Sequence, residues 1–216
     1  MPAAPFPDPH PPRPAADCPE DAAEWFDAIG AARWSPYAYD PAPVPDDALR
    51  AVFAAAGGAP SSRNEQPWRF VVGRRGEEGY ERLLAALAEP NRVWARLAPV
   101  LGVAFAATAW AHNGRPNGHA RYDTGAAMAV LALAATSRGL QLHQMGGFDA
   151  AAAHAAASAP EGFEAVTAFA LGRAAAAPPP GFPEPLAARD ATRRGRRPLG
   201  ETVSGGAWGE PLFGEP

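Results

Sequence analysis

The sequence predicts an α+β or α/β domain built in three layers, on three observations. Helix-period segments and short apolar runs of strand character alternate along the chain. Several of those runs are apolar throughout, as strands buried on both faces are. The chain has 216 residues, 47% of them hydrophobic, enough for one domain with a sizeable core and marginal for two. There is no internal repeat.

The elements follow in order. The opening "MPAAPFPDPHPPRPAADCPE" is proline-rich and is expected to be extended or disordered, which sets residues 1–20 apart as a tail. His10 and Cys18 fall in it and are read as structurally idle. "EDAAEWFDAIGAAR" has helical spacing, with Ala23, Phe26, Ala28 and Ile29 as its apolar stripe. After a turn-rich stretch, Asp46 or Asp47 caps a second helix, "ALRAVFAAAG", which ends at Gly57 and Gly58. "WRFVVG" reads as a strand, "EEGYERLLAALAE" as a third helix and Asn91 to Leu97 as a short fourth. "PVLGVAFAAT" is a buried strand and "AWAHNGRPNGHAR" a loop with three turn signals.

Asp123 then caps an apolar helix from Thr124 to Arg138, which stops at Gly139. A helix apolar on all faces belongs in a core or a subunit interface. "LQLHQM" is a short strand, "GGF" a turn, "DAAAAHAAASA" a helix and "FEAVTAFALG" the last strong strand. The compact region is thus expected over 21–173. Residues 174–216 form a proline-rich linker, "AAAAPPPGFPEP", and a C-terminal arm.

Composition removes several classes of function. The formal net charge of -4 gives no global attraction to nucleic acid or an anionic membrane. A single cysteine excludes an internal disulfide framework and fits a reducing, cytoplasmic setting. The longest apolar stretch, residues 125–136, is too short for a bilayer helix, and no secretory signal is visible. All 19 basic residues are arginine, so no mechanism that needs a lysine amine is available. No GxGxxG follows a strand, there is no GxSxG, and no metal-ligand spacing appears among the histidines and cysteine. His112 and His119 read as residues of an exposed loop. A chain without a nucleophile, a metal set or a general-base set often leaves the chemistry to a bound organic cofactor.

Two arginine-bearing segments stand apart, "AARWSPY" with Arg33 and "RRGRR" at 193–197. Guanidinium forks suit a phosphate, which they bind bidentately. By composition alone the second run reads equally as a solvated tail or a weak nucleic-acid patch.

Three stretches taken together resemble the FMN-dependent nitroreductase-like flavoproteins. "ARWSPYAYDPAPV" is similar to the family's opening Arg-x-Ser-Pro-Arg-x-Phe motif, "APSSRNEQPWRF" to its most recognisable signature, and "RRGRRPLGETVSGGAWG" to its closing basic motif. Between them, "PNRVWARLAPVL", "YDTGAAMAVLALAATSRGLQLHQMGGFD" and "ALGR" stand at the corresponding places, and the resemblance runs over roughly residues 22–209. It implies an α+β, nitroreductase-like three-layer fold in an intertwined homodimer with two interfacial FMN sites.

The resemblance also implies site residues. The turn of Pro60, Ser61, Ser62 and Asn64 would contact the flavin of the partner subunit, with Gln66 bracing the turn. Arg33 and Ser35 would reach the phosphate end of FMN, with Trp34 contributing its backbone or packing beside the ribityl chain. Arg194 and Arg196 would grip the same phosphate, with Arg197 adjacent, so that the C-terminal arm completes that site. Asn91 would bond the pyrimidine ring. Gln144, Met145, Gly146 and Gly147 would lie behind the ring, where backbone N–H groups meet flavin N5; glycine lets a backbone come that close. Trp110, His112 and Tyr122 are the implied lining of the substrate pocket. One position departs: the family's basic residue after Ser-Pro, which the resemblance implies stands near flavin N1 and O2, where negative charge collects on reduction, is Tyr37 here, and the following aromatic is Tyr39.

The implied activity is ping-pong hydride transfer from NAD(P)H through FMN to an electron-poor small molecule: a nitroaromatic, quinone, enone or flavin. No side chain need act as acid or base, and no metal, nucleic acid or membrane is involved. Two alternatives stay open. One is a flavin-dependent dehydrogenase or oxidase that acts on a biosynthetic intermediate with oxygen as acceptor. The other is a non-catalytic flavin-binding or interaction protein whose arginine tail meets nucleic acid, recognisable by steeply salt-dependent DNA affinity.

Overall fold

The computed structural model describes residues 19–213; His10, Cys18 and the rest of the stretch 1–18 lie outside the described residues. The chain runs α1 (Ala22–Ala32), α2 (Asp46–Gly57), a 3₁₀ turn (Ser62–Asn64), β1 (Trp68–Arg74), α3 (Glu78–Ala85), α4 (Glu89–Ala95) and β2 (Val100–Ala107). It continues with α5 (Ala120–Thr136), β3 (Gln141–Met145), α6 (Ala150–Ala156), β4 (Phe163–Gly172), α7 (Glu184–Ala191) and α8 (Leu199–Thr202).

The four strands form one sheet in the order β1-β2-β4-β3, with every pairing antiparallel. β2 lies in the middle, its first seven residues buried, as its unbroken apolar run requires. Because strand side chains alternate between faces, the sheet serves two cores. Leu101, Val103, Phe105, Met145 and Ala170 pack with Tyr80, Leu83 and Trp94 of α3 and α4 on one face. Val100, Ala104, Leu142, Phe169 and Leu171 pack with Val52 of α2 and Met128, Leu131 and Ala135 of α5 on the other. The result is an α+β fold of three layers. Gly102 is required at the centre: a Cβ there would lie 2.2 Å from Cζ of Phe169 on the neighbouring strand.

Three features differ from the sequence expectation. α1 buries only Ile29 of its expected stripe; Phe26 is 58% exposed and Trp25 61% exposed. α5 begins at Ala120, so Asp123 sits inside its first turn, where its carboxylate accepts from the backbone N–H of Ser62 at 3.1 Å. The C-terminal arm contains α7, docked through the partly buried Phe182 and Leu186. The expected stop of α5 is present: Gly139 takes φ +67° and Leu140 N–H bonds back to the carbonyl of Ala135. Among the described residues no helix is long and apolar enough to cross a membrane.

Candidate functional site

The segment after α1 and the segment after α7 face each other across a cavity of about 220 Å³. Arg33, Trp34, Ser35 and Tyr37 line one side; Arg189, Thr192, Arg194 and Arg196 line the other; His143 of β3 completes it. Four arginines and no carboxylate line this space. A second cavity of about 380 Å³ shares Arg33, Ser35 and His143 and continues along Leu142 and Gln144 to Ala129, Ala132 and Leu133 of α5. One end of the combined site is therefore cationic and the other is walled by small apolar side chains.

Specific bonds fix the first wall. Gln141, at the start of β3, accepts from Trp34 N–H at 2.7 Å and donates to the carbonyl of Ala32 at 3.1 Å. The Arg193 guanidinium donates to the carbonyls of Ala31 and Ala32 at the C-terminal end of α1, where a cation also opposes the helix dipole. It lies 5.3 Å from the centre of the Trp34 ring, a cation–π distance. Arg33 donates to the Ser35 hydroxyl at 3.4 Å, which orients the guanidinium within the cavity.

The rings of His143, Tyr37 and Trp94 contact one another in a triangle, with centroids 4.7 Å apart for His143–Tyr37, 4.4 Å for His143–Trp94 and 5.1 Å for Tyr37–Trp94. Its Nδ1 is 2.9 Å from the carbonyl oxygen of Pro36. A carbonyl only accepts, so Nδ1 carries the proton and in the neutral ring Nε2 keeps its lone pair. Burial holds the imidazole below its usual pKa, against a smaller opposing effect of the Pro36 bond and of Asp190. Tyr39 is buried, donates to the carbonyl of Ala170 at 3.2 Å, and is pushed well above the ordinary tyrosine range by desolvation.

The remaining sequence-predicted residues fall into three places. Asn91 and Gly147 meet: the Asn91 amide donates to the Gly147 carbonyl at 2.9 Å, and a Cβ on Gly147 would lie 2.7 Å from that amide nitrogen. Gly146, beside them, is exposed and has nothing within 4 Å of where a Cβ would stand. Met145 is buried in the core. Arg197 pairs with Glu201 at 2.8 Å and does not line the arginine cavity.

The turn of Pro60 to Asn64 lies elsewhere, against the N-terminal end of α5. Arg63, Asn64 and Gln66 all have positive φ, a costly conformation for residues other than glycine. Local bonds over-determine it: Gln66 N–H donates to the Ser61 hydroxyl at 3.0 Å, Gln66 Nε2 to Asn64 Oδ1 at 3.1 Å, and Ser62 N–H to Asp123. Gln66 does brace the turn. Glu65 accepts from Ala111 N–H at 2.6 Å and so ties the turn to the loop that carries Trp110 and His112. Trp110 lies 6.0 Å from the ring of His112, and Tyr122, in the first turn of α5, is 79% exposed.

The sequence did not single out His143, Gln141 or Asp190, and it marked Asp123 only as a helix cap. The first two had a signal. In "QLHQM" they occupy alternate positions of a strand, so two polar side chains share a face with the core residue Met145.

The edge of the sheet thus carries an arginine-lined cavity with no carboxylate in its lining, a charge pattern that suits an anionic group such as a phosphate. Residues 31–99 match the model of the nitroreductase family. An uncharacterized 15.4 kDa protein in the ask 5′ region of Mycolicibacterium smegmatis is 36% identical over 157 residues, which span 67% of this chain and 99% of that protein. A crystal structure described as an oxidoreductase containing FMN superposes with a TM-score of 0.79 at 30% identity, covering 85% of this chain and 93% of that one. The FMN-dependent nitroreductase NfnB from Mycobacterium smegmatis, solved in complex with NADPH, shares the fold with a TM-score of 0.68 at 21% identity, over 87% of this chain and all of that one. This chain belongs to the nitroreductase family.

Proposed function

We propose that the protein is an FMN-dependent oxidoreductase that takes reducing equivalents from NADH or NADPH and passes them to a small electron-poor acceptor. Nitroaromatics, quinones, enones and flavins are the candidate acceptors. The observation that carries this reading is the pair of joined cavities. Their cationic end, with Arg33, Ser35, Arg194 and Arg196, fits a phosphate monoester. Their other end runs past Gln144 to the apolar strip of α5, a wall against which a flat ring can pack. The relative that contains FMN and the relative solved with NADPH support the choice of cofactor and donor.

Bound FMN would supply the redox chemistry, a two-electron exchange between the nicotinamide donor and the acceptor. The chain's own residues bind and orient. Arg33, Arg194 and Arg196 would hold the phosphate by charge-assisted bonds, and Trp34 would pack beside the ribityl chain. Asn91, held on Gly147, would meet the pyrimidine ring. Gly146 leaves its backbone open to a close approach.

The active species in this proposal is a homodimer. Ser62 is bonded to Asp123, while Ala132 and Leu133 line the arginine-bearing site. Ala129, the cavity-lining residue of α5 nearest to Asp123, is six residues and about 9 Å further along the helix; the turn lines neither part of its own chain's cavity, and in this proposal the partner's turn completes the site. Trp25, Phe26 and Tyr122, exposed in a single chain, and the apolar strip of α5 supply surface for such an association. The experiment is anaerobic addition of NADH or NADPH to the FMN-loaded protein. Flavin absorbance should bleach with at least one of them and return on addition of a quinone; failure of both donors to bleach it contradicts the reading.

Tyr37 favours a second reading, a dehydrogenase or oxidase that passes electrons to oxygen, because no cation stands at that position to favour the reduced flavin. Slow bleaching by both nicotinamides, beside oxygen uptake driven by an organic substrate, would select it.

A further inference from the structure

Asp190 lies in the last turn of α7 and does not line the arginine cavity, although its neighbour Arg189 does. Its carboxylate accepts from Tyr37 N–H with both oxygens, at 2.8 and 3.0 Å, and from Ala38 N–H at 2.8 Å. Tyr37 belongs to the first wall of the cavity, and Arg194 and Arg196 follow Asp190 by a few residues to form the second. The two walls come from distant segments of the chain, with Tyr37 and Asp190 separated by 153 positions. On the far side of the second wall, Arg193 ties the arm to the end of α1. Asp190 and Arg193 thus clamp one wall onto the other.

We infer that Asp190 is a positioning residue: by fastening α7 to the backbone of Tyr37 and Ala38, it sets the separation of the opposed arginines and so the preference of the site for a phosphorylated ligand. The inference rests on the proposed FMN site. Carboxylate-to-amide bonds are charge-assisted, and a neutral amide cannot reproduce them. In Asp190→Asn one oxygen becomes an NH₂ donor set against backbone N–H donors, and the clamp opens.

Simple electrostatics predicts the opposite sign. Removing a negative charge beside four arginines should tighten binding of a phosphate dianion. A positioning role predicts weaker binding, so one variant separates the two.

The probes are FMN and riboflavin, which differ only in the phosphate, titrated into the flavin-free full-length protein. The wild type should prefer FMN. Asp190→Asn should raise the FMN dissociation constant about tenfold to a hundredfold, in keeping with the loss of well-placed charged bonds. Its riboflavin affinity should stay within about twofold of wild type, the size of effect expected where no contact changes. An unchanged or larger FMN-to-riboflavin ratio overturns the inference, as does an equal loss for both ligands. Should Asp190→Asn not fold, Asp190→Glu, which keeps the charge but lengthens the clamp by a methylene, reads the same ratio with the same expected fall. If the wild type itself shows no preference for FMN, it is the proposed phosphate site that fails, a result distinct from a variant that retains the preference.

Discussion

Replacing Gly146 by alanine separates what the fold needs from what a bound flavin needs. The added methyl meets no heavy atom within 4 Å, the residue is exposed, and its φ is not in the left-handed region. The fold alone therefore offers no steric or conformational reason for a loss, and the stability change should stay within about 0.5 kcal/mol. If the flavin ring packs against this stretch of backbone, the same methyl intrudes on it. Overpacking of a closely fitted contact costs about 1–3 kcal/mol, a rise of about fivefold to a hundred-and-fifty-fold in the FMN dissociation constant or a matching fall in the rate of reduction. The assay is a thermal melt of the flavin-free protein beside FMN titration and anaerobic reduction of the loaded one. Gly147→Ala gives the contrast: its methyl would stand 2.7 Å from the Asn91 amide and breaks that bond to the Gly147 carbonyl, so it should lower stability by about 0.5–1.5 kcal/mol as well as weaken FMN. A Gly146→Ala protein that melts, binds FMN and is reduced like the wild type would refute the placement of the ring beside this segment.

Arg33→Ala and Arg196→Ala should each raise the FMN dissociation constant about tenfold to a hundredfold, from the loss of a charged hydrogen bond. Arg82→Ala, on α3 and paired with Glu78, should leave it unchanged; equal effects at all three positions in flavin fluorescence titrations would misplace the phosphate site. Tyr37→Arg should raise the flavin midpoint potential by about 30–60 mV, the equivalent of about 1.5–3 kcal/mol for a charged bond that favours the more negative, reduced state. A dye-coupled titration in which the potential is unchanged or falls would show that position 37 serves only the arginine-lined end, whose wall Tyr37 forms, and not the pyrimidine end that the resemblance implies. His143 has a lowered pKa, so the unfolded chain binds its proton more readily than the folded one. Stability from this residue is present above the unfolded value of about 6.5 and is lost as pH falls from there through the folded value. Melts between about pH 7.5 and 5 should therefore fall less steeply for His143→Gln than for the wild type, and identical slopes would contradict the assignment.

Much of the scaffold was legible because burial leaves a periodic mark. β2 is a central strand and reads as an unbroken apolar run, the buried second half of β4 is apolar as well, and α5 ends where Gly139 supplies the left-handed residue it needs. α7 was not legible: "EPLAARDA" is short and polar, buries no residue, and is held by contacts to distant segments that no local pattern reports. α1 misled in the opposite way, since Phe26 marks an apolar face that a single chain leaves uncovered. Asp123 looked like a helix cap because an acid before an apolar run usually is one, yet its carboxylate reaches a turn 61 residues away. Three of the four cavity arginines, Arg33, Arg194 and Arg196, were visible in two segments that the resemblance joined, while Arg189 on the polar α7 carried no signal. The clamp at Asp190 was invisible, because its partners are backbone N–H groups, which any residue except proline would present.

The central claim is that this chain holds FMN and works through it. The absorbance spectrum of the purified protein, with chromatography of whatever cofactor heat releases, tests that most directly. The account predicts a yellow protein whose released flavin runs as FMN. FAD in the released fraction, or a colourless protein that gains no flavin spectrum with added FMN, would contradict it.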